Sequence, residues 1–473
     1  MIDTQEIRKK ILSLALTGKL VEQNSSDTPA HQLVESLSGS LNNHPFENDI
    51  SAQEIPYEIP DSWVWCRLSD IGTTNIGLTY HPQDVAEDGT IVIRSSNIIK
   101  GKMDYADLVK VKCQIRENQY LKRNDIVICA RNGSKALVGK CAIYEGDSDV
   151  ISFGAFMAIF RTPFFQYAYL YFNSPVFRRN FSNDDSKQIN QVTQNILKNS
   201  LIPIPPEEEQ KRITDKINSV FSFLDTIDTL QSQYQENLVT LKSKIIDAGI
   251  QGKLTEQLPE DGNAEELYQQ IQQERKSQEA SGKIKKEDLF PDIEDQSIPF
   301  SVPKTWLWTY LGNVSYIVRG GSPRPIKQYI THDTNGINWI KIGDVEKGGK
   351  YIYQTNERIS PEGEKKSRRV YPGDFLLTNS MSFGRPYISQ IEGCIHDGWL
   401  LIRNLNGFDP DYLYYLLSSS YLYGQFTEKA SGSTVDNLNI DKVKSAMIPL
   451  PPLAEQKRIV AKLEELLPLC EKG

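Results

Sequence analysis

Between residues 207 and 250 the apolar positions recur at steps of four and three: Ile213, Ile217, Val220, Leu224, Ile227, Gln231, Tyr234, Leu238, Leu241, Ile245 and Ala248, with Gln231 the only polar member. That spacing is the seam of a coiled-coil helix. Pro205-Pro206 and the three glutamates that follow mark its start, because proline fits a first helical turn and carboxylates oppose the positive end of the dipole. A helix over 207–250 would be about 65 Å long. Matching seam positions occur at both ends of the chain, as Ile7, Ile11 and Leu14 and as Ile459, Leu463 and Leu466. They supply two halves of one partner helix, which favours an antiparallel pair within the chain over a homodimeric zipper. Elsewhere, short β-like runs ("DIVICA", "FMAIFR", "DFLLTN", "GWLLIR") alternate with helical stretches such as "FQYAYLYFNSPVFRRN" and "DYLYYLLSSSYLYGQF", a mixed α/β pattern. The polar stretch 258–290 reads as a further helix and a solvated linker.

These elements are written twice. "IPYEIPDSWVWCRLSDIG" at 55–72 matches "IPFSVPKTWLWTYLGNVS" at 298–315, and "IPIPPEEEQKRI" at 202–213 matches "IPLPPLAEQKRI" at 448–459. The partner of "LKSKIIDAGIQGKL" at 241–254 is "RKKILSLALTGKL" at 8–20, so the repeat is circularly permuted. The expected fold is therefore α/β (α+β) modules in two pseudo-symmetric copies, separated by two long antiparallel coiled-coil helical regions. The expected divisions are 1–23, an N-terminal helix completing the distal helical region; 24–202, the first module; 203–257, the central helix; 258–448, a linker helix and the second module; and 449–473, the distal helix. The landmarks recur, but the segments between them differ, as one scaffold with two sets of loops would for two different targets.

Composition narrows the picture. A chain of 473 residues with 39% hydrophobic and 24% charged residues has the make-up of an ordinary globular protein. With no long apolar run and no apolar core to its N-terminal segment, it is expected in the cytoplasm. Six cysteines occur without a C-x-x-C pair, which argues against a zinc site or a disulfide framework. The net charge of −8 is uneven: residues 55–202 carry 17 basic and 15 acidic residues and 298–448 carry 17 and 14, leaving 19 and 32 for the rest. Two slightly basic modules are joined by acidic helices.

The chain resembles the specificity subunit of type I restriction-modification systems. The resemblance rests on the "IP-x-x-x-P-x-x-W-x-W" openings, "INWIKIGDV" at 337–345, the "PLPPLAEQKRI" ends and the central helix closing in "GIQGKL". It implies that the modules are target recognition domains, each reading part of a bipartite, asymmetric site in double-stranded DNA. It also implies that the helices dock two copies of a methyltransferase subunit, which restriction/translocase subunits then join. S-adenosylmethionine, ATP and Mg would be bound by those partners, with no cofactor in this chain. A coiled-coil scaffold whose two domains bind proteins or ligands is the alternative from another class, and a fused nuclease a third.

Bases are read chiefly in the major groove, by Arg or Lys on guanine, Asn or Gln on adenine and apolar groups on the thymine methyl. Loops rich in such residues are the candidates. In the first module these are Arg94, Ser95, Ser96 and Asn97; Arg131, Asn132, Ser134 and Lys135; and Lys187, Gln188, Asn190 and Gln191. In the second they are Lys341; Lys365, Lys366, Arg368 and Arg369; Asn379, Ser380, Ser382 and Arg385; and Lys429, Ser431, Ser433 and Thr434. The run "EKKSRR" suits phosphates better than bases. Trp63, Trp65, Trp306 and Trp308 recur at strand spacing and are expected in the core. No N/D-P-P-Y/F methyltransferase pocket occurs, and "GSKALVGKC" at 133–141 has five residues between its glycines where a phosphate loop needs four. The sequence thus points to recognition without catalysis.

Overall fold

The computed structural model describes every residue except 43–48, 147–149, 183–190, 347, 380–383, 429–437 and 472–473. It contains two compact units, Met1–Ser232 and Gln233–Gly473. The helix Glu207–Ile250 is continuous and contributes its first part to one unit and its last part to the other.

In the first unit, strand Val64–Arg67 pairs antiparallel with Leu201–Ile204, closing the start of the module onto its end. An antiparallel sheet follows in the order Thr73–Ile76, Met157–Arg161, Ile126–Cys129, Cys141–Ile143. A second, mixed sheet sets Val85–Ile93 between Val109–Val111 and Ile151–Phe153, the last pair parallel. Ile126, Ile128, Ala158 and Phe160 enter one core with the aromatic helix Phe165–Phe172, whereas Val127, Cys129, Met157 and Ile159 enter another with Ile93 and Phe153. The period-two alternation of "DIVICA" and "FMAIFR" thus serves two hydrophobic layers, one on each face.

The second unit repeats this plan with longer sheets. Leu307–Tyr310 pairs with Met447–Leu450. One five-stranded sheet runs Ser315–Arg319, Trp399–Asn404, Phe375–Thr378, Pro386–Ser389, Tyr351–Ile352. The other runs Ile330–Thr331, Glu357–Ile359, Ile337–Ile340, Gly393–Ile395, Arg368–Val370.

The helical seam follows the expected antiparallel scheme within each unit. In the first, helix Thr4–Leu16 runs against the central helix: the Ile2 amide donates to Gln231, Arg8 pairs with Asp225 and Asp228, and Leu12 and Leu16 share a core with Ile213 and Ile217. In the second, helix Leu453–Leu466 places Ile459 and Leu463 beside Gly249, and Lys242 pairs with Glu471. The seam is not covered throughout. Tyr234 and Leu241 are 48% and 47% exposed.

The duplicated phrase now has a physical account. Its two isoleucine-like positions fill the closing strand, with Ile202, Ile204, Ile448 and Leu450 buried. Its glutamate is fully buried and accepts the indole N–H of the opening tryptophan: Trp63 Nε1 to Glu209 at 2.9 Å, and Trp306 Nε1 to Glu455 at 2.7 Å. A glutamine 234 positions apart in the two copies also donates to that carboxylate, Gln23 to Glu209 and Gln257 to Glu455, both at 2.6 Å. The phrase's own glutamine donates back to its helix-entry proline, Gln210 to Pro205 O and Gln456 to Pro451 O, each at 3.0 Å. Its arginine pairs with a nearly buried aspartate, Arg212 with Asp27 and Arg458 with Asp261. Burial raises the pKa of Glu209, although Trp63 and Gln23 favour its charged form, while the hydrogen bond from Arg458 lowers that of Asp261. Gly18 and Gly252, at φ +69° and +70°, turn the chain where a side chain would collide with Pro60 or Pro303. Trp63, Trp65 and Trp306 are buried and Trp308 is half-buried, with Trp65 edge-on to Tyr57 at 5.0 Å and Trp308 to Phe300 at 4.9 Å.

Candidate nucleic-acid interface

Three sequence-predicted segments of the first unit meet. Asn132 Nδ2 donates to Ser95 Oγ at 3.1 Å, joining the loop of Arg94–Asn97 to that of Arg131–Lys135. Arg131 forms a β-bridge with Gln191, and the Val192 amide donates to Ala130 O at 2.9 Å. Arg131, Ser134, Lys135, Gln191 and Ser96 are exposed. Arg94 is half-buried and held to Asp107 at 2.8 Å. Asn97 is 1% exposed: its Oδ1 accepts the Arg94 amide and its Nδ2 donates to the carbonyls of Asp104 and Asp107. Its polar atoms shape the loop. Lys187, Gln188 and Asn190 lie outside the described residues.

The same frame recurs in the second unit. The Lys341 amide donates to Asp344, as Arg94 does to Asn97. The Asn379 amide donates to Gly398 O at 3.0 Å and Leu438 to Asn379 O at 2.8 Å, which makes Asn379 the counterpart of Ala130. Asn379, 1% exposed, spends its side-chain amide on Asp397 O. The second strand-borne counterpart pair is Asp125 with Arg161 and Asp374 with Arg403, each a nearly buried carboxylate bound by two guanidinium nitrogens.

The side chains hung on this frame differ. Lys341 pairs with Glu357 at 2.6 Å. The basic run is divided: Arg369 sits between Glu364 (2.7 Å) and Glu392 (2.8 Å), Lys366 lies over the Tyr329 ring at 4.9 Å, and Lys365 and Arg368 are exposed. Arg385 is exposed beside the Thr378 hydroxyl, which accepts its amide. Ser322 and Arg324 both reach Asp397. Burial lowers the pKa of neighbouring His396, against the opposing pull of Asp397. Ser380, Ser382, Lys429, Ser431, Ser433 and Thr434 lie outside the described residues.

One surface residue escaped the sequence reading. Phe156 is 60% exposed, its carbonyl accepts the amides of Ala130 (2.9 Å) and Arg131 (3.0 Å), and the Arg131 guanidinium lies 5.7 Å from its ring centroid. The sequence held no signal for it: "FMAIFR" is apolar through Phe160, and Met157–Phe160 are buried without a break, so nothing local sets Phe156 apart.

No helix among the described residues is long and apolar enough to cross a membrane. The chain is 24% identical to the type I restriction enzyme EcoAI specificity subunit of Escherichia coli, over 99% of this chain and 90% of that protein. It is 30% identical to the StySPI specificity subunit of Salmonella potsdam, over 86% of this chain and 83% of that one. A chain in a solved structure concerned with complex assembly and conformational transition of the type I R-M system shares the fold, with a TM-score of 0.58 at 19% identity, covering 88% of this chain and 93% of that one. The family model of the type I restriction modification DNA specificity domain matches residues 60–235 and again 303–471, one match in each copy of the repeat, and the chain belongs to that family.

Proposed function

We propose that this chain is the recognition subunit of a type I restriction-modification complex, in which residues 24–202 are one target recognition domain and 258–448 a linker helix and a second, each domain reading one half of a split DNA site. The observation that carries this reading is the repeated loop frame bearing unlike side chains: Ser95, Arg131, Asn132 and Gln191 in one module, and Lys365, Arg368 and Arg385 in the other. A repeated backbone presenting different donors and acceptors is what discrimination between two base sequences requires. The predicted residues then divide by role. Exposed Arg131, Gln191 and Arg385 are suited to base edges, and Lys135, Lys365 and Arg368 to phosphates, which set register without specifying sequence. Asn97 and Asn379 support the loops.

Methyl transfer from S-adenosylmethionine belongs to a partner in this reading, as do ATP and Mg in the restriction subunits. The target adenine must leave the duplex stack to be methylated, and this chain supplies the address. The central helix exposes Phe223 (68%) and Leu230 (58%) in its first-unit part, and Tyr234, Val239 (69%) and Leu241 in its second-unit part. Apolar side chains in such number on a helix suit a protein partner, and the repeat suits two copies of a modification subunit. Footprinting of the complex with a modification subunit of the same system should protect two short elements around bases that are not read. Continuous protection without sequence preference would contradict the proposal.

A further inference from the structure

Phe156 and Arg131 form a unit in the first module that has no counterpart among the described residues of the second. On the shared frame the counterpart of Phe156 is Gly398, since Gly398 O accepts the Asn379 amide as Phe156 O accepts that of Ala130. The aromatic ring thus stands where the second module has no side chain, a place where the two modules must differ if they read different bases.

The geometry limits what the pair can be for. Two backbone hydrogen bonds fix the root of Phe156, yet the ring buries little of itself. Arg131 has no acidic partner among the described residues and lies against the ring face, which restrains the guanidinium without neutralising it. A phosphate contact needs no such restraint. A planar fork aimed at the O6 and N7 acceptors of guanine gains from it. The ring is an apolar group within 5.7 Å of that fork, and base pairs stack about 3.4 Å apart. A base contacted by Phe156 is therefore a neighbour of the one contacted by Arg131. The apolar feature of the major groove is the C5-methyl of thymine.

We infer that Arg131 and Phe156 together read a guanine and an adjacent thymine methyl in the first half-site. This rests on the recognition role proposed above. The test uses the complex with its modification subunit and duplexes in which each thymine of the first half-site is replaced by deoxyuridine, which lacks only the methyl. At one position, next to a guanine, the native complex should bind about fourfold more weakly to the deoxyuridine duplex. Phe156→Ala should bind the two duplexes equally. Arg131→Ala should lose roughly tenfold or more of its preference for that guanine. Preferences in the second half-site should be unchanged in both variants, which reports that they fold.

A first half-site lacking an adjacent guanine and thymine would overturn the inference. So would a native complex indifferent to deoxyuridine at every position, or a Phe156→Ala complex that still discriminates; in each case recognition of a split site would stand. A native complex with no sequence preference would instead remove the recognition role, and the inference with it.

Discussion

Glu455→Ala is expected to lower the stability of the second unit by about 3–5 kcal/mol, because it strips a buried acceptor from several donors at once. Thr255 Oγ1, Gln257 Nε2 and Trp306 Nε1 all donate to this carboxylate, and it is fully buried. After the substitution those donors face a cavity, and each unsatisfied group costs about 1–3 kcal/mol. Glu455→Gln keeps the volume and one acceptor oxygen, so it should recover about half of the loss. Equilibrium urea denaturation measures both variants, and a loss under about 1 kcal/mol for Glu455→Ala would show that the node does not hold the unit. The node is tied into the module: Gln456, beside it, donates to Gly407 O and accepts the Asp409 amide, joining the start of its helix to the start of the helix Pro410–Ser418.

The parts of this fold that were legible in the sequence are those that repeat. The four-three step from Ile213 to Ala248 predicts the helix that the structure shows at Glu207–Ile250, because a heptad is a local pattern. The doubled phrases predict two copies, because an internal duplication needs no contact to be recognised. What the duplicated residues do was not legible. Trp63 meets Glu209 across 146 positions and Arg458 meets Asp261 across 197, and nothing local marks such pairs. The parallel pairing of Ile91–Ile93 with Ile151–Phe153 was hidden for the same reason.

The candidate site was legible as composition but not as geometry. Loops rich in Arg, Asn and Ser stood out, and three of those in the first module meet through Asn132, Ser95 and Gln191. Composition does not distinguish Asn132, half-exposed between two loops, from Asn97, whose polar atoms are consumed by the backbone. Nor does it show that Arg369 is neutralised by two glutamates while Arg131 rests on an aromatic ring.

The second large effect expected concerns specificity. Each unit closes its own module with its own strand pair, Val64–Arg67 with Leu201–Ile204 and Leu307–Tyr310 with Met447–Leu450. Each also encloses its own hydrophobic cores. Residues 55–202 can therefore be exchanged between relatives without disturbing the core of the other module, provided that Trp63 keeps its partner Glu209. Every base contact of the first half-site would change together, and each correct contact discriminates by about 1–3 kcal/mol, so the old half-site should be abandoned outright.

Mapping methylated adenines in cells that carry the partner genes with either the native gene or its 55–202 exchange tests the two-reader account most directly. The account predicts a split motif in both, with one half replaced by the exchange and the other retained base for base. A motif in which both halves change, or one continuous sequence read without a gap, would contradict it.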